Sequence, residues 1–538
     1  MRRNGADFPK AVDSTGKECY NMVDYSNTIR FLWHDREAKV EFSSILDMEE
    51  SPYKKKRRPA FYQDLNLDQV IERIRLDWGE EVSSFYYWFP ANSDCEDYRR
   101  EVFSDVKTGY FYDILCRFSG KMKQRREACA WKGEVKENLQ KAVWHLREVG
   151  CYCEAFGELW EAMKELPLKS RGMQAFREYL SRYLTGAFYV EMQSRAAELL
   201  IDMKDFRLVL TYENDRIAIA QGEVEGSYDD FLENLFPGHG RLLVSPFTAD
   251  VNLVELEEGL MKAFRKRNPD FFRGVEEFYG EYGNYADECL IRFASEIGFY
   301  LSFYRFQGKM RERGYAFCEP VMRGRTVPVQ ARGLYDLALA CAGREVITND
   351  AILYPEERFF ILTGPNQGGK TTFARSLGQL VYFAKMGLDV PATSAEVYRF
   401  TDILTHFSVE ESVETGRGKL QEELERLADI MAASQEDGAF TFVVINELFT
   451  TAANYDAGIM GKRVLEYFLA KGSRGIYVTH LSELEGEDPR LVSLRAMLDE
   501  NGRRTFRIDR SREDAPADAG SLVGKHGLTY EQLKERLA

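Results

Sequence analysis

The sequence predicts a chain of two textures, a mainly helical stretch from about Asp64 to Gly308 and, after about Val327, an α/β domain with a largely parallel sheet. Three observations carry this. Apolar residues recur every three or four positions through the first stretch, the helical period. In the second, short apolar runs (FFILTG, TFVVI, GIYVTH) alternate with helical ones, the pattern of βαβ units. A glycine-rich loop follows the first of those runs and opens a helix. The expected organisation is residues 1–60 without assigned structure, a helical region over 61–330, an α/β domain over 331–510 and a carboxyl-terminal segment over 511–538.

A chain of 538 residues is long enough for roughly three or four folding units. Hydrophobic residues make up 44% and charged residues 30%, a globular composition. The formal charge of -15 argues against a surface that coats nucleic acid throughout, because each phosphate contact needs a local cation. Local basic clusters exist at Lys54-Lys55-Lys56-Arg57-Arg58, at Lys121 to Arg126 and at Arg265-Lys266-Arg267, and each also suits an ordinary solvated face.

The nine cysteines include no CxxC pair, and Cys151 and Cys153 fall on different faces of a helical pattern. The thiols are expected to be reduced. No apolar region follows the two arginines of MRRNGADFPKAVD, and no run of about 18 uncharged apolar residues occurs. A cytoplasmic protein that does not span a membrane is the expectation.

Within the helical stretch, Leu139, Val143, Leu146, Phe156, Leu159 and Met163 keep helical spacing until Pro167 closes the run. After Pro269, a stripe from Val275 through Phe278, Tyr282, Tyr285, Cys289, Phe293, Ile297 and Tyr300 to Tyr304 steps by three or four. It predicts one helix of roughly 50–60 Å at the usual rise, either a rod able to transmit motion or a member of an ordinary bundle. RLVLTYENDRIAIAQGEV, residues 207–224, alternates about Asn214-Asp215 and reads as a hairpin.

Phe359 to Thr363 reads as a buried strand. Gly364-Pro365-Asn366-Gln367-Gly368-Gly369-Lys370-Thr371-Thr372 follows at once, and then a helix to about Met386. This is GxxxxGK[ST] in its strand–loop–helix setting, a phosphate-binding loop. Its glycines let main-chain N–H groups face phosphates, the helix terminus adds a positive dipole end, Lys370 reaches the outer phosphates and Thr371 can ligate magnesium. ATP with Mg2+ is the expected cofactor.

A second apolar run ends on Asn446-Glu447. A carboxylate at that strand end can polarise an attacking water, the role expected of Glu447. Asn446 stands where such strands usually carry Asp; its amide oxygen can still accept from a metal-bound water but brings no charge, so magnesium is expected to bind more weakly. Glu447 would likewise meet the ion through water. A third run ends on His480, placed to bond the terminal phosphate or the water.

The set TGPNQGGKTT, GRGKLQEELERLADI, VVINELFTTAANYDAG and VTHLSEL resembles the ATPase domain of the MutS family of DNA mismatch-repair proteins. Val390-Pro391-Ala392 with Thr401-Asp402-Ile403 resembles a further segment of that family, and Asn349 resembles a position near the adenine. The resemblance is strongest from about Arg332 to Leu484. It implies an ABC-type P-loop NTPase domain, preceded by a long-helix lever and core domain. It also implies a homodimer in which Gly416, Gly418 and Lys419, at the start of a helix, reach the partner's nucleotide. Here Gly418, with Lys419 beside it, takes the place of the family's usual serine. Thr450 to Asp456 resembles the loop coupling the two sites, and the segment after Arg510 resembles the dimer-stabilising helices.

Mismatch-reading relatives carry a Phe-x-Glu wedge near the amino terminus. That tripeptide occurs here only internally, at Phe156, Phe176, Phe231 and Phe317, and the chain ends soon after the ATPase segment, leaving a protein expected to be lever and motor. The leading expectation is an ATP-gated clamp on duplex or structured DNA, sequence-nonspecific and slow in hydrolysis. The other is an ATP-binding switch whose arms hold a protein partner.

Overall fold

In the computed structural model, the described residues are 42–47, 58–90, 92–205, 209–213, 216–220, 265–266, 268–407, 419–435, 438–449, 452–481, 484, 488–510 and 534. Of two compact units, Met1–Glu41 lies outside them, and Phe42–Ala538 is the body described below.

The helical part is built on two 26-residue antiparallel helices, Gly109–Glu134 and Asn138–Met163. Between them Val135 is extended and Glu137 caps the second. Leu139, Val143, Leu146, Phe156, Leu159 and Met163 are all buried, on the face their spacing selects. The hairpin forms as β1 (Val209–Glu213) and β2 (Arg216–Ala220), antiparallel with Glu213 opposite Arg216.

The single long helix expected after Pro269 is two helices, Pro269–Glu281 and Glu288–Glu312. The stripe continues across the break because Tyr282 and Tyr285 stay buried without being helical. The carbonyl of Tyr282 lies 3.0 Å from Nε2 of buried His145, and the Tyr285 hydroxyl donates to Glu148 over 2.9 Å. Asp287 then caps the second helix, accepting from the Leu290 N–H at 2.9 Å. Tertiary contacts thus satisfy the interrupted backbone, and periodicity alone does not reveal the joint.

The α/β part holds two sheets. One is made of β3 (Val321–Arg323), β4 (Val329–Leu334), β5 (Asn349–Leu353) and β7 (Ser394–Tyr398), in the order β3-β7-β4-β5. The other runs β12-β11-β6-β10-β9-β8, with β6 (Phe359–Thr363), β8 (Asp402–Phe407), β9 (Thr441–Asn446), β10 (Arg474–Val478), β11 (Leu491–Leu498) and β12 (Arg504–Arg510). All neighbours in it are parallel except β11–β12. β6, β9 and β10 are buried along their whole length, as strands covered on both faces must be.

The helix Lys370–Lys385 ties the sheet to the helical part. Its Gln379 donates to the Leu65 carbonyl at 2.9 Å, and Tyr382 bonds Tyr62 at 2.6 Å. A Cβ on Gly378 would fall 2.5 Å from Leu65, so the close approach there demands glycine.

Candidate functional site

The parallel register sets the site. Leu362 on β6 lies opposite Val478 on β10, which lies opposite Asn446 on β9. The chain leaving each strand therefore emerges on one edge, at the carboxyl ends where open α/β sheets bind ligands. Two cross-links hold that edge: the Glu447 N–H donates to the Val478 carbonyl and the Thr479 N–H to that of Leu362, each at 3.0 Å.

The loop after β6 needs its glycines for stated reasons. Gly364 has φ +121°, and a Cβ there would sit 3.0 Å from the Ala496 nitrogen. Gly369 has φ +93° immediately before the helix. Gln367, with φ +60°, adopts the left-handed region without being glycine, as does Glu447 with φ +55°.

Four predicted residues meet here. The Thr371 hydroxyl donates to Oδ1 of Asn446 at 2.9 Å. The His480 ring donates from Nε2 to Oε1 of Glu447 at 3.0 Å. Lys370 is folded against its own loop, donating to the carbonyls of Gly364 at 2.8 Å and Pro365 at 3.1 Å. Burial holds the Lys370 ammonium below its ordinary range, and the Glu447 charge partly opposes this.

Lys370, Thr371 and Glu447 open on a cavity of about 370 Å³, whose lining also includes Gln367, Gly369 and Thr372. Its lining also brings in residues the sequence did not single out, among them Tyr335, Asp336, Leu339, Arg344, Ile347 and Phe506. Asp336 is buried and accepts from the Leu339 N–H at 3.1 Å and from Gln379 at 3.0 Å. Burial raises its carboxyl, opposed by those donors. Asn349, predicted near an adenine, also lines the cavity. It donates to the Phe506 carbonyl at 3.1 Å and accepts from the Ile508 N–H at 2.8 Å. It thereby fixes Phe506, which has φ +57° and an exposed ring at the cavity wall. An aromatic residue flanked by Thr505 and Arg507 in RRTFRIDR was the available signal.

Gly416 and Gly418 lie outside the described residues, as do Thr450, Thr451 and, Lys534 apart, the segment after Arg510; Lys419 opens the helix Lys419–Ala433. Lys54 to Arg57 and Arg267 are likewise outside. In the Lys121–Arg126 cluster, Lys121 pairs with Glu154 and Glu158, and Arg125 with Glu148 at 2.8 Å. Lys123 is 70% exposed.

The fold and site define a mixed α/β domain carrying a glycine-loop pocket at the carboxyl ends of its parallel strands. Residues 360–509 match the family described as MutS domain V. The similarity to the MutS family lies in the carboxyl-terminal half of the chain. It is similar to the DNA mismatch repair protein MutS of Chlorobium limicola, 28% identical over 198 residues, 36% of this chain and 22% of that protein. With the MutS of Symbiobacterium thermophilum it shares 28% identity over 237 residues, 42% of this chain and 26% of that protein. With that of Chlamydia muridarum the identity is 28% over 179 residues, 32% and 22% of the two chains. The chain therefore spans about a quarter of the length of the curated relatives it matches. Among the described residues, no helix is long and apolar enough to cross a membrane.

Proposed function

We propose that this domain is a P-loop ATPase that binds ATP with Mg2+ in the cavity and hydrolyses it slowly, and that the nucleotide gates the grip of a dimer on DNA. What supports the reading is that Thr371 and Glu447 line one cavity with Lys370, Thr371 bonded to Asn446 and Glu447 to His480.

The glycine loop and the helix terminus offer main-chain N–H groups to phosphates. Lys370 exchanges its two loop carbonyls for phosphate oxygens. The oxygens that would hold magnesium are the Thr371 hydroxyl, with Asn446 and Glu447 acting through water. Magnesium, when bound, neutralises phosphate charge. Glu447 orients and polarises the attacking water, and His480 holds the Glu447 carboxylate in place. Asn349 positions Phe506 beside Gly369, where its ring would be available to stack on the base. Gly416, Gly418 and Lys419 of a second copy complete the site.

The DNA reading is tested by retardation of duplex and branched DNA at low salt, with and without ATP. Binding that weakens steeply as salt rises supports it; no retardation under any of these conditions sinks it. The pairing of Lys121 and Arg125 within the chain, together with the charge of -15, favours a second reading, a switch that clamps a protein. Release of a co-purifying protein by ATP, with no DNA binding, selects it.

A further inference from the structure

Residues 42–47 belong to no helix or strand, yet Ile45 and Leu46 are fully buried and Asp47 nearly so. Four successive carbonyls of this segment are taken by four side chains. Arg292 donates to Ser43 at 2.9 Å, Tyr98 to Ser44 at 2.7 Å, Tyr300 to Ile45 at 2.8 Å and Arg99 Nε to Leu46 at 2.7 Å. The donors stand on the helices Ser93–Val106 and Glu288–Glu312. From the second helix, Glu296 accepts the Ser44 hydroxyl at 2.8 Å and the Ile45 N–H at 3.0 Å. The Cys95 thiol donates to the Asp47 carboxylate at 3.2 Å. The Phe42 ring meets Phe176 edge-on at 5.3 Å.

Core segments normally pair backbone with backbone. Among the described residues, no main-chain group of 43–47 does so. Its main chain is read by side chains instead, as a bound peptide is read in a groove. The cleft is also built to hydrate. Arg99 and Glu296 are fully buried, and a charge costs several kcal/mol to keep from water unless it is partnered. When the segment leaves, water can replace its polar groups, while the apolar surface that Phe42, Ile45 and Leu46 cover in the main core is exposed. Arg99 Nη2 has no hydrogen-bond partner among the described residues, so the occupant leaves one donor of the cleft unused.

We infer that the cleft between these two helices is a peptide-binding site for an extended hydroxyl–aliphatic–aliphatic–acid segment, and that Ser44-Ile45-Leu46-Asp47 is its tethered, releasable occupant. The inference is independent of the nucleotide reading.

Hydrogen exchange on the full chain tests it, with a synthetic peptide of residues 41–48 added at roughly millimolar concentration, the effective concentration of a short tethered segment. The amides of 45–47 are expected to open separately from those of the two helices, and faster still as the peptide displaces them. A peptide carrying Ser44→Ala is expected to leave them unchanged. Tyr300→Phe removes one donor and keeps the ring, so it is expected to raise exchange at 45–47 about tenfold, the worth of one hydrogen bond, with the helices unaffected. A single common exchange rate for segment and helices, an equal effect of both peptides, or a Tyr300→Phe effect spread equally over the helices would each overturn the inference.

Discussion

The Thr371 hydroxyl reaches the side-chain oxygen of Asn446 over 2.9 Å, joining the first turn after the glycine loop to the end of a strand two places away in the sheet. A neutral amide thus stands where a magnesium site would gain most from a charge. Replacing it with a carboxylate keeps the acceptor and adds that charge. Asn446→Asp is expected to lower the magnesium concentration needed for half-maximal ATP hydrolysis by about tenfold. An unchanged magnesium dependence would show that Asn446 does not face the ion.

The His480 ring bonds Glu447 and, among the described residues, forms no hydrogen bond with the glycine loop. A group that orients the polarising carboxylate acts on the chemical step more than on binding. His480→Gln is expected to reduce kcat by about 10- to 100-fold with KM for ATP within about twofold. A loss appearing in KM alone would assign the ring to substrate binding instead.

Phe506 lines the cavity beside Gly369 of the glycine loop, held there by Asn349. Stacking on a base is worth on the order of 1–3 kcal/mol. Phe506→Ala is expected to weaken ATP binding about tenfold while leaving tripolyphosphate binding unchanged, both read by calorimetry. Equal weakening of both ligands would mean that the ring supports the loop.

Glu148 anchors the helical part far from the cavity. Burial pushes its carboxyl up, but the neighbouring His145 ring, the hydrogen bond from Lys132 and the charge of Arg125 outweigh it and hold the pKa at about 2, below the ordinary 4.5. A folded-state value below the unfolded one gives stability that is complete above 4.5 and is lost as pH falls toward 2. A shift of that size is on the order of 3 kcal/mol. In urea unfolding, the gap in stability between the native protein and Glu148→Gln is expected to be widest near pH 6 and to narrow between pH 4.5 and 2. A gap that does not change with pH would contradict the assignment.

How much was legible follows from where each signal lies. β6, β9 and β10 announce themselves because strands buried on both faces are unbroken apolar runs, and the residues they deliver, Lys370, Thr371, Asn446, Glu447 and His480, follow directly along the chain. The sheet β3-β7-β4-β5 did not, because its strands mix polar and charged residues with apolar ones. The joint between Glu281 and Glu288 is hidden because Tyr282 and Tyr285 keep the helical stripe while their bonds run to His145 and Glu148. Phe506 reaches the cavity through Asn349, 157 positions away, and the grip on residues 42–47 comes from helices as far as 255 positions on. Contacts of that separation leave no local pattern to read.

The most direct test of the central claim is steady-state ATP hydrolysis against magnesium concentration, for the native protein and for Glu447→Gln. The account predicts slow turnover that rises with magnesium in the native protein, and loss of turnover with ATP binding retained in the variant. Equal turnover of the two would contradict the role given to Glu447, and equal inertness with ATP bound would make the domain a nucleotide-held switch.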